Sequence, residues 1–220
     1  VKVRYCGVWD TVGSLGWKAV AATFDRRADK RYKQHDTQLS SLVEGGRHAV
    51  ALDERRVHFM PTLWRNVHAL NTEAGHDPYS EDAPYQEKWF PGDHGSVGGG
   101  GAERGLSNAA LHWVLKGALD FGLEIDLTGR SQLATIRYDA SAPLRNTPAE
   151  GLRKGSLGRY VTGRGIAFLK DKLLTSSRTG PVEVDDVHPA ALRKWFLSKP
   201  DGARESYRPR TLRHLERDVE

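Results

Sequence analysis

Between residues 86 and 121 the chain reads as a strand, a glycine loop and a helix, in that order, and this order limits the fold more than any other feature. Residues 86–90 (QEKWF) are aromatic-rich and closed by Pro91-Gly92, as a short strand would be. Gly98-Gly99-Gly100-Gly101 then leads to a helix expected from residue 106 to about 121. On it Leu111, Val114, Leu115, Ala118 and Leu119 form one apolar stripe, with Ser107 as the expected N-cap. Strand, loop and amphipathic helix are the units of an α/β domain, in which each helix stripe is buried on a sheet face. The chain opens on a similar signal. Residues 1–9 (VKVRYCGVW) read as a strand that ends at Asp10, and residues 11–16 as a glycine-punctuated loop.

Other segments are less sharply marked. Leu39, Leu42, Val43, Ala49, Val50 and Leu52 are spaced for a helix over residues 37–56, with Thr37 as N-cap. Gly45-Gly46 weakens that expectation by roughly 1 kcal/mol per glycine. Residues 71–84 are polar and Pro-bearing and read as an exposed loop. Beyond Leu127 the pattern breaks into short pieces: 132–138, a Gly/Arg-rich middle, a short helix over 190–197, and a basic tail. The expected organisation is therefore a domain portion over 1–127 and an irregular C-terminal extension over 128–220.

Composition sets outer limits. The apolar fraction is 38%, but six Trp, seven Tyr and six Phe supply large buried area per residue, enough for a core. No apolar run nears the roughly 20 residues that span a bilayer, and no charged-then-apolar leader opens the chain. A start at Val1 rather than Met, already within a strand, leads us to expect a fragment or a processed product. The location stays open between the cytoplasm and export by a route without such a leader. Cys6 is the single cysteine, so no internal disulfide can form. The formal charge of +5 owes much to Arg193, Lys194, Arg204, Arg208, Arg210, Arg213 and Arg217. Such a run reads first as a solvated face, and second as a surface for phospholipid headgroups or nucleic acid.

Asp10 and His94 stand where an open α/β sheet places reactive groups, just past the carboxyl ends of strands. Acid before histidine is also the chain order of serine hydrolases of the α/β type. By position alone Asp10 reads equally as a turn or cap residue, and His94 as a loop histidine. Asp93 is a rival carboxylate, but adjacent residues in extended chain point to opposite sides. Asp53 and Glu54 read as salt-bridging or buried structural acids, and Cys6 as a small apolar strand residue. The glycine run reads as close backbone packing beside His94, with a phosphate cradle as the alternative. A one-copy Asp-Thr-Val-Gly does not make an aspartic protease, which needs two carboxylates sharing a proton. No histidine pair has the spacing of a metal site, and no nucleic-acid motif is present, so neither a metal, a cofactor nor a nucleic-acid partner is expected.

Several blocks resemble, in order, an uncharacterised α/β-hydrolase family that includes type VI secretion phospholipase effectors. They are Gly7-Val8-Trp9-Asp10-Thr11-Val12-Gly13-Ser14-Leu15-Gly16, His35-Asp36-Thr37-Gln38-Leu39-Ser40, and Arg47-His48-Ala49-Val50-Ala51-Leu52-Asp53-Glu54-Arg55-Arg56. Pro61-Thr62-Leu63-Trp64, Trp89-Phe90-Pro91-Gly92-Asp93-His94 with Val97-Gly98-Gly99-Gly100, and Leu106-Ser107-Asn108-Ala109-Ala110-Leu111-His112-Trp113 follow. Val187-His188-Pro189 and Tyr207-Arg208-Pro209 are a weaker echo of its ending. The resemblance is dense over residues 3–123 and sparse beyond. Many members read His-Ser-Asp where this chain has His94-Gly95-Ser96.

The resemblance implies the later strands and helices of a mostly parallel α/β-hydrolase sheet, with Asp10 as triad acid, His94 as triad base and phospholipid acyl esters as substrates. It also implies a nucleophile in a G-x-S-x-G elbow and an oxyanion hole, both upstream of the Gly7 block. No G-x-S-x-G occurs among the 220 residues. Gly105-Leu106-Ser107-Asn108-Ala109 comes nearest, but Ser107 reads as the helix cap. The partners implied are the ester substrate, the N-terminal half of the domain, an immunity protein and, through the basic tail, a membrane surface. The alternative expectation is a non-catalytic lipid- or partner-binding remnant of such a hydrolase.

Overall fold

A computed structural model of the chain describes residues 2–12, 37–56, 59–126, 136–144, 178–197 and 207–220. Residues 13–16 of the loop expected over 11–16, the first half of the 132–138 piece and most of the Gly/Arg-rich middle lie outside them. The strands are β1 (Cys6–Trp9), β2 (Gly46–Ala51) and β3 (Tyr85–Phe90). They form a parallel sheet in that order, with Cys6 beside Gly46 and Gly46 beside Tyr85. Helices α1 (Val67–Glu73), α2 (His94–Gly98), α3 (Ser107–Asp120), α4 (Pro189–Phe196) and α5 (Glu216–Val219) accompany it. This is an α/β arrangement. β1 is shorter than the nine residues expected, since Val3 contributes only an isolated bridge to Val43.

The helix expected over 37–56 does not form, and its second half is β2. Every residue of β2 is buried, as in a central parallel strand covered on both faces. Such a strand has no alternation of apolar and polar residues, so its spacing gives a false helical signal. Gly45 is dictated by packing rather than by a turn. A Cβ there would lie 2.0 Å from the Phe121 ring at the end of α3.

Ala49, Ala51 and Phe90 project to one face and pack with Val97, Ala109, Ala110, Trp113 and Val114 of α2 and α3. The buried face of α3 is thus Ala110, Trp113, Val114 and Gly117, rotated from the expected leucine stripe; Leu119 is exposed. The reason is closeness. Small residues let the helix axis approach β1, where a Cβ on Gly7 would meet Val114 Cγ1 at 2.5 Å. Ser107 is the first helical residue and not the cap; its hydroxyl donates to the Arg104 carbonyl.

Val50, Leu52 and Trp89 project to the other face. Val187, in a parallel bridge with Trp89, and Ala191 and Trp195 of α4 cover them, together with Leu212, Leu215 and Val219. The basic tail is therefore not merely solvated. A 3-10 turn over Arg210–Leu215 and α5 bury its apolar side chains, while Arg210, Arg213 and Arg217 face solvent. Arg208 stacks on the Trp195 ring at 4.0 Å. The segment 71–84, expected as exposed loop, begins inside α1; Asn71 is wholly buried and bonds the Tyr85 backbone in both directions. None of the described helices is long and apolar enough to cross a membrane.

Candidate functional site

Parallel strands all deliver their carboxyl ends to one edge, so the residues after β1 and β3 come together although 84 positions separate them. Asp10 follows β1 with φ at 41°, the left-handed region a non-glycine residue enters at a cost of about 1–3 kcal/mol. Three backbone anchors hold it there. Its N–H donates to Ala49 O at 2.7 Å, Thr11 N–H donates to His48 Nε2 at 3.1 Å, and Thr62 N–H donates to Thr11 O at 2.7 Å. His48 is itself fixed by Glu87, whose Oε2 lies 2.6 Å from Nδ1. Because Nε2 accepts from Thr11, Nδ1 carries the proton and donates.

His94 is the first residue of α2, not part of a loop. Asp93 caps that helix, accepting from Ser96 N–H at 2.8 Å and Ser96 Oγ at 2.7 Å. His94 N–H donates to Glu54 Oε2 at 3.2 Å. The ring packs on Phe59 with centroids 4.8 Å apart, and the Arg56 guanidinium lies over the Phe59 ring at 3.9 Å. His94 Nδ1 lies 2.7 Å from Asp10 Oδ2. Asp10 is 0% exposed, whereas the His94 side chain is 33% exposed. Nε2 takes no hydrogen bond among the described residues, so the pair offers one ring nitrogen outward.

Sequence reasoning missed Arg178. Its Nη1 donates to Asp10 Oδ1 at 2.5 Å and to Ala51 O at 2.7 Å. Its Nη2 donates to Asp10 Oδ2 at 2.8 Å and to the Phe59 carbonyl. With Ala51 N–H on Oδ1 at 2.9 Å, each carboxylate oxygen accepts two bonds. Burial pushes the Asp10 pKa up, but the bonds from Arg178 and His94, the guanidinium charge and the Ala51 amide outweigh it. The carboxyl is held below its ordinary 3.8. No local signal in Ser176-Ser177-Arg178-Thr179-Gly180 distinguishes this arginine from its many neighbours in the Gly/Arg-rich stretch.

Asp53 and Glu54 are structural acids, as expected, but lie in an irregular turn after β2 rather than a helix. Asp53 Oδ2 accepts from Gly92 N–H at 2.7 Å and Tyr207 OH at 2.9 Å. Glu54 forms a two-oxygen pair with Arg56. Cys6 is half-buried on β1, where burial pushes its thiol pKa up, away from thiolate chemistry.

Residues 1–117 match the catalytic domain of the T6SS phospholipase effector Tle1-like family, over half of the chain and through both members of the Asp10–His94 pair. The chain belongs to that family. The Tle1-like match ends within α3, so α4, the tail and Arg178 lie beyond it. Among curated proteins, an uncharacterised protein of Saccharomyces cerevisiae, YEL023C, is 54% identical over 43 residues, which is 17% of this chain and 6% of that protein. The chain thus spans a small part of the relative it matches. No solved structure gives a significant match.

Proposed function

We propose that this Tle1-like chain supplies the acid and base of a serine-type ester hydrolase acting on phospholipid acyl esters, on an α/β-hydrolase sheet. The observation that carries the reading is the Asp10–His94 hydrogen bond at the carboxyl edge of a parallel sheet, with Nε2 turned outward. In this reading Nδ1–H donates to Asp10, which fixes the tautomer that leaves Nε2 basic. Nε2 takes the proton of an attacking serine as its oxygen bonds the acyl carbon. The ring then returns that proton to the departing alcohol, and water repeats the cycle on the acyl-enzyme. The 220 residues hold no G-x-S-x-G, so the serine is supplied from outside them.

The test uses the natural polypeptide that joins a G-x-S-x-G serine to these residues, with phosphatidylcholine vesicles and a fluorophosphonate probe. The probe labels the serine and fatty acid is released. His94→Ala, at a part-exposed ring, lowers turnover by at least about 10³-fold without unfolding the protein. Residues 1–220 alone release nothing. Labelling with cleavage of short esters but not of phospholipid would retain the hydrolase and remove the lipid substrate. Absence of labelling and hydrolysis would remove both and leave a non-catalytic binding role.

A further inference from the structure

Arg178 is a costly residue to place where it stands. Its side chain is 1% exposed, and its Nε is buried without a partner among the described residues. A guanidinium used only to join segments would be better left at the surface, where desolvation does not oppose it. Its two outer nitrogens instead straddle the carboxylate that also receives His94, one on each oxygen. Four of the charged groups around the His94 ring form two neutralised pairs. Asp10 is joined to Arg178, and Glu54, which accepts the His94 amide, is joined to Arg56, whose guanidinium lies over the Phe59 ring. Asp93, before the ring, directs one carboxylate oxygen to Ser96.

A lone buried carboxylate beside an imidazole favours the protonated ring, and a bidentate cation on the same carboxylate opposes that preference. We infer that Arg178 is a positioning residue of the Asp10–His94 pair, holding the carboxylate in register and offsetting part of the charge that it presents to the ring. The inference rests on the reading of these two residues as acid and base. It gives the distal part of the chain a role in the site.

The test reads the ring directly, by nitrogen-15 NMR titration of the 220-residue chain, with the His94 signal assigned by its loss in His94→Ala. In Arg178→Gln the pH at which His94 takes its proton rises by about one unit. In Arg178→Lys, which can keep a cation but loses the fork, it rises by less than in Arg178→Gln. An unmoved ring in Arg178→Gln overturns the inference, as does a Lys variant that moves further than the Gln variant; Arg178→Met, read in the same way, replaces the Gln variant if that does not fold. In the serine-containing polypeptide the acid limb of kcat/KM moves with the ring in Arg178→Gln, whereas a merely structural arginine would lower the whole profile without moving its limb. Because the ring is titrated without substrate, an absence of hydrolysis would sink the functional reading and still leave the charge effect measured.

Discussion

A carboxylate with all four lone-pair positions filled, as in Asp10, is difficult to replace even by its amide. Asn would keep the shape but drop the charge, leaving the Arg178 guanidinium buried and uncompensated, and would turn an N–H₂ toward two of the four donor groups. Asp10→Asn should therefore cost about 3–5 kcal/mol, the range for breaking a buried ion pair from one side. Adding Arg178→Met removes the orphaned charge and should return at least about 1 kcal/mol of that loss. Urea unfolding of the two variants measures both, and a loss below about 1 kcal/mol for Asp10→Asn would mean the pair is not closed in solution. The Asp10 carboxyl is held below its unfolded value, so its contribution is present above that value and fades as pH falls through the folded one. At this scale the sequence revealed the two residues that sit at strand ends, because a strand end is a position in the fold. Arg178 has no such mark. Its partner is 168 positions away, and only the closed fold tells it apart from the other arginines of its stretch.

β1, β3, α3 and α4 were legible in the sequence, whereas β2, α1 and α2 were not. Segments 86–90, 106–121 and 190–197 were placed within about a residue of β3, α3 and α4, since glycine and proline bound them. β2 is buried on both faces and carries no period to read. The start of α4 adds a titratable element. His188 caps it, accepting from Ala190 N–H at 3.2 Å, and its ring stacks on Phe90 at 4.2 Å. Burial, with the nearby charge of Lys88 next in weight, pulls its pKa down to about 3. A histidine depressed in the folded state is protonated more easily when unfolded. Its penalty therefore begins as pH falls through about 6.5 and grows until the folded value is reached. His188→Asn puts a capping oxygen in place of Nδ1 and removes the titration. The difference in unfolding free energy between pH 7 and pH 4 should then be smaller in the variant than in the wild type. An equal difference would show that His188 takes no part in the acid loss.

The family match stops at residue 117, but the core does not. Three ties run from the distal chain to the edge that carries Asp10 and His94. Arg178 grips Asp10, Tyr207 OH reaches Asp53, which in turn holds the Gly92 amide two residues before His94, and Thr211 Oγ1 donates to Leu52 O at 3.1 Å. An extension that merely trailed from the domain could be altered freely; one that closes a sheet face could not. Leu212 and Arg213 separate these cases because they are neighbours of opposite burial. Leu212 is 0% exposed among Val50, Leu52 and Trp195, while Arg213 faces solvent. Leu212→Ala should destabilise the chain by about 2–5 kcal/mol, the range for truncating a fully packed leucine. Arg213→Ala should stay within about 0.5 kcal/mol of wild type. Both values come from urea unfolding followed by tryptophan fluorescence, where Trp89 and Trp195 line the same cluster and report on it directly. If Leu212→Ala costs no more than Arg213→Ala, the tail does not close this face in solution, and the grip of the distal chain on Asp10 and Gly92 loses its foundation.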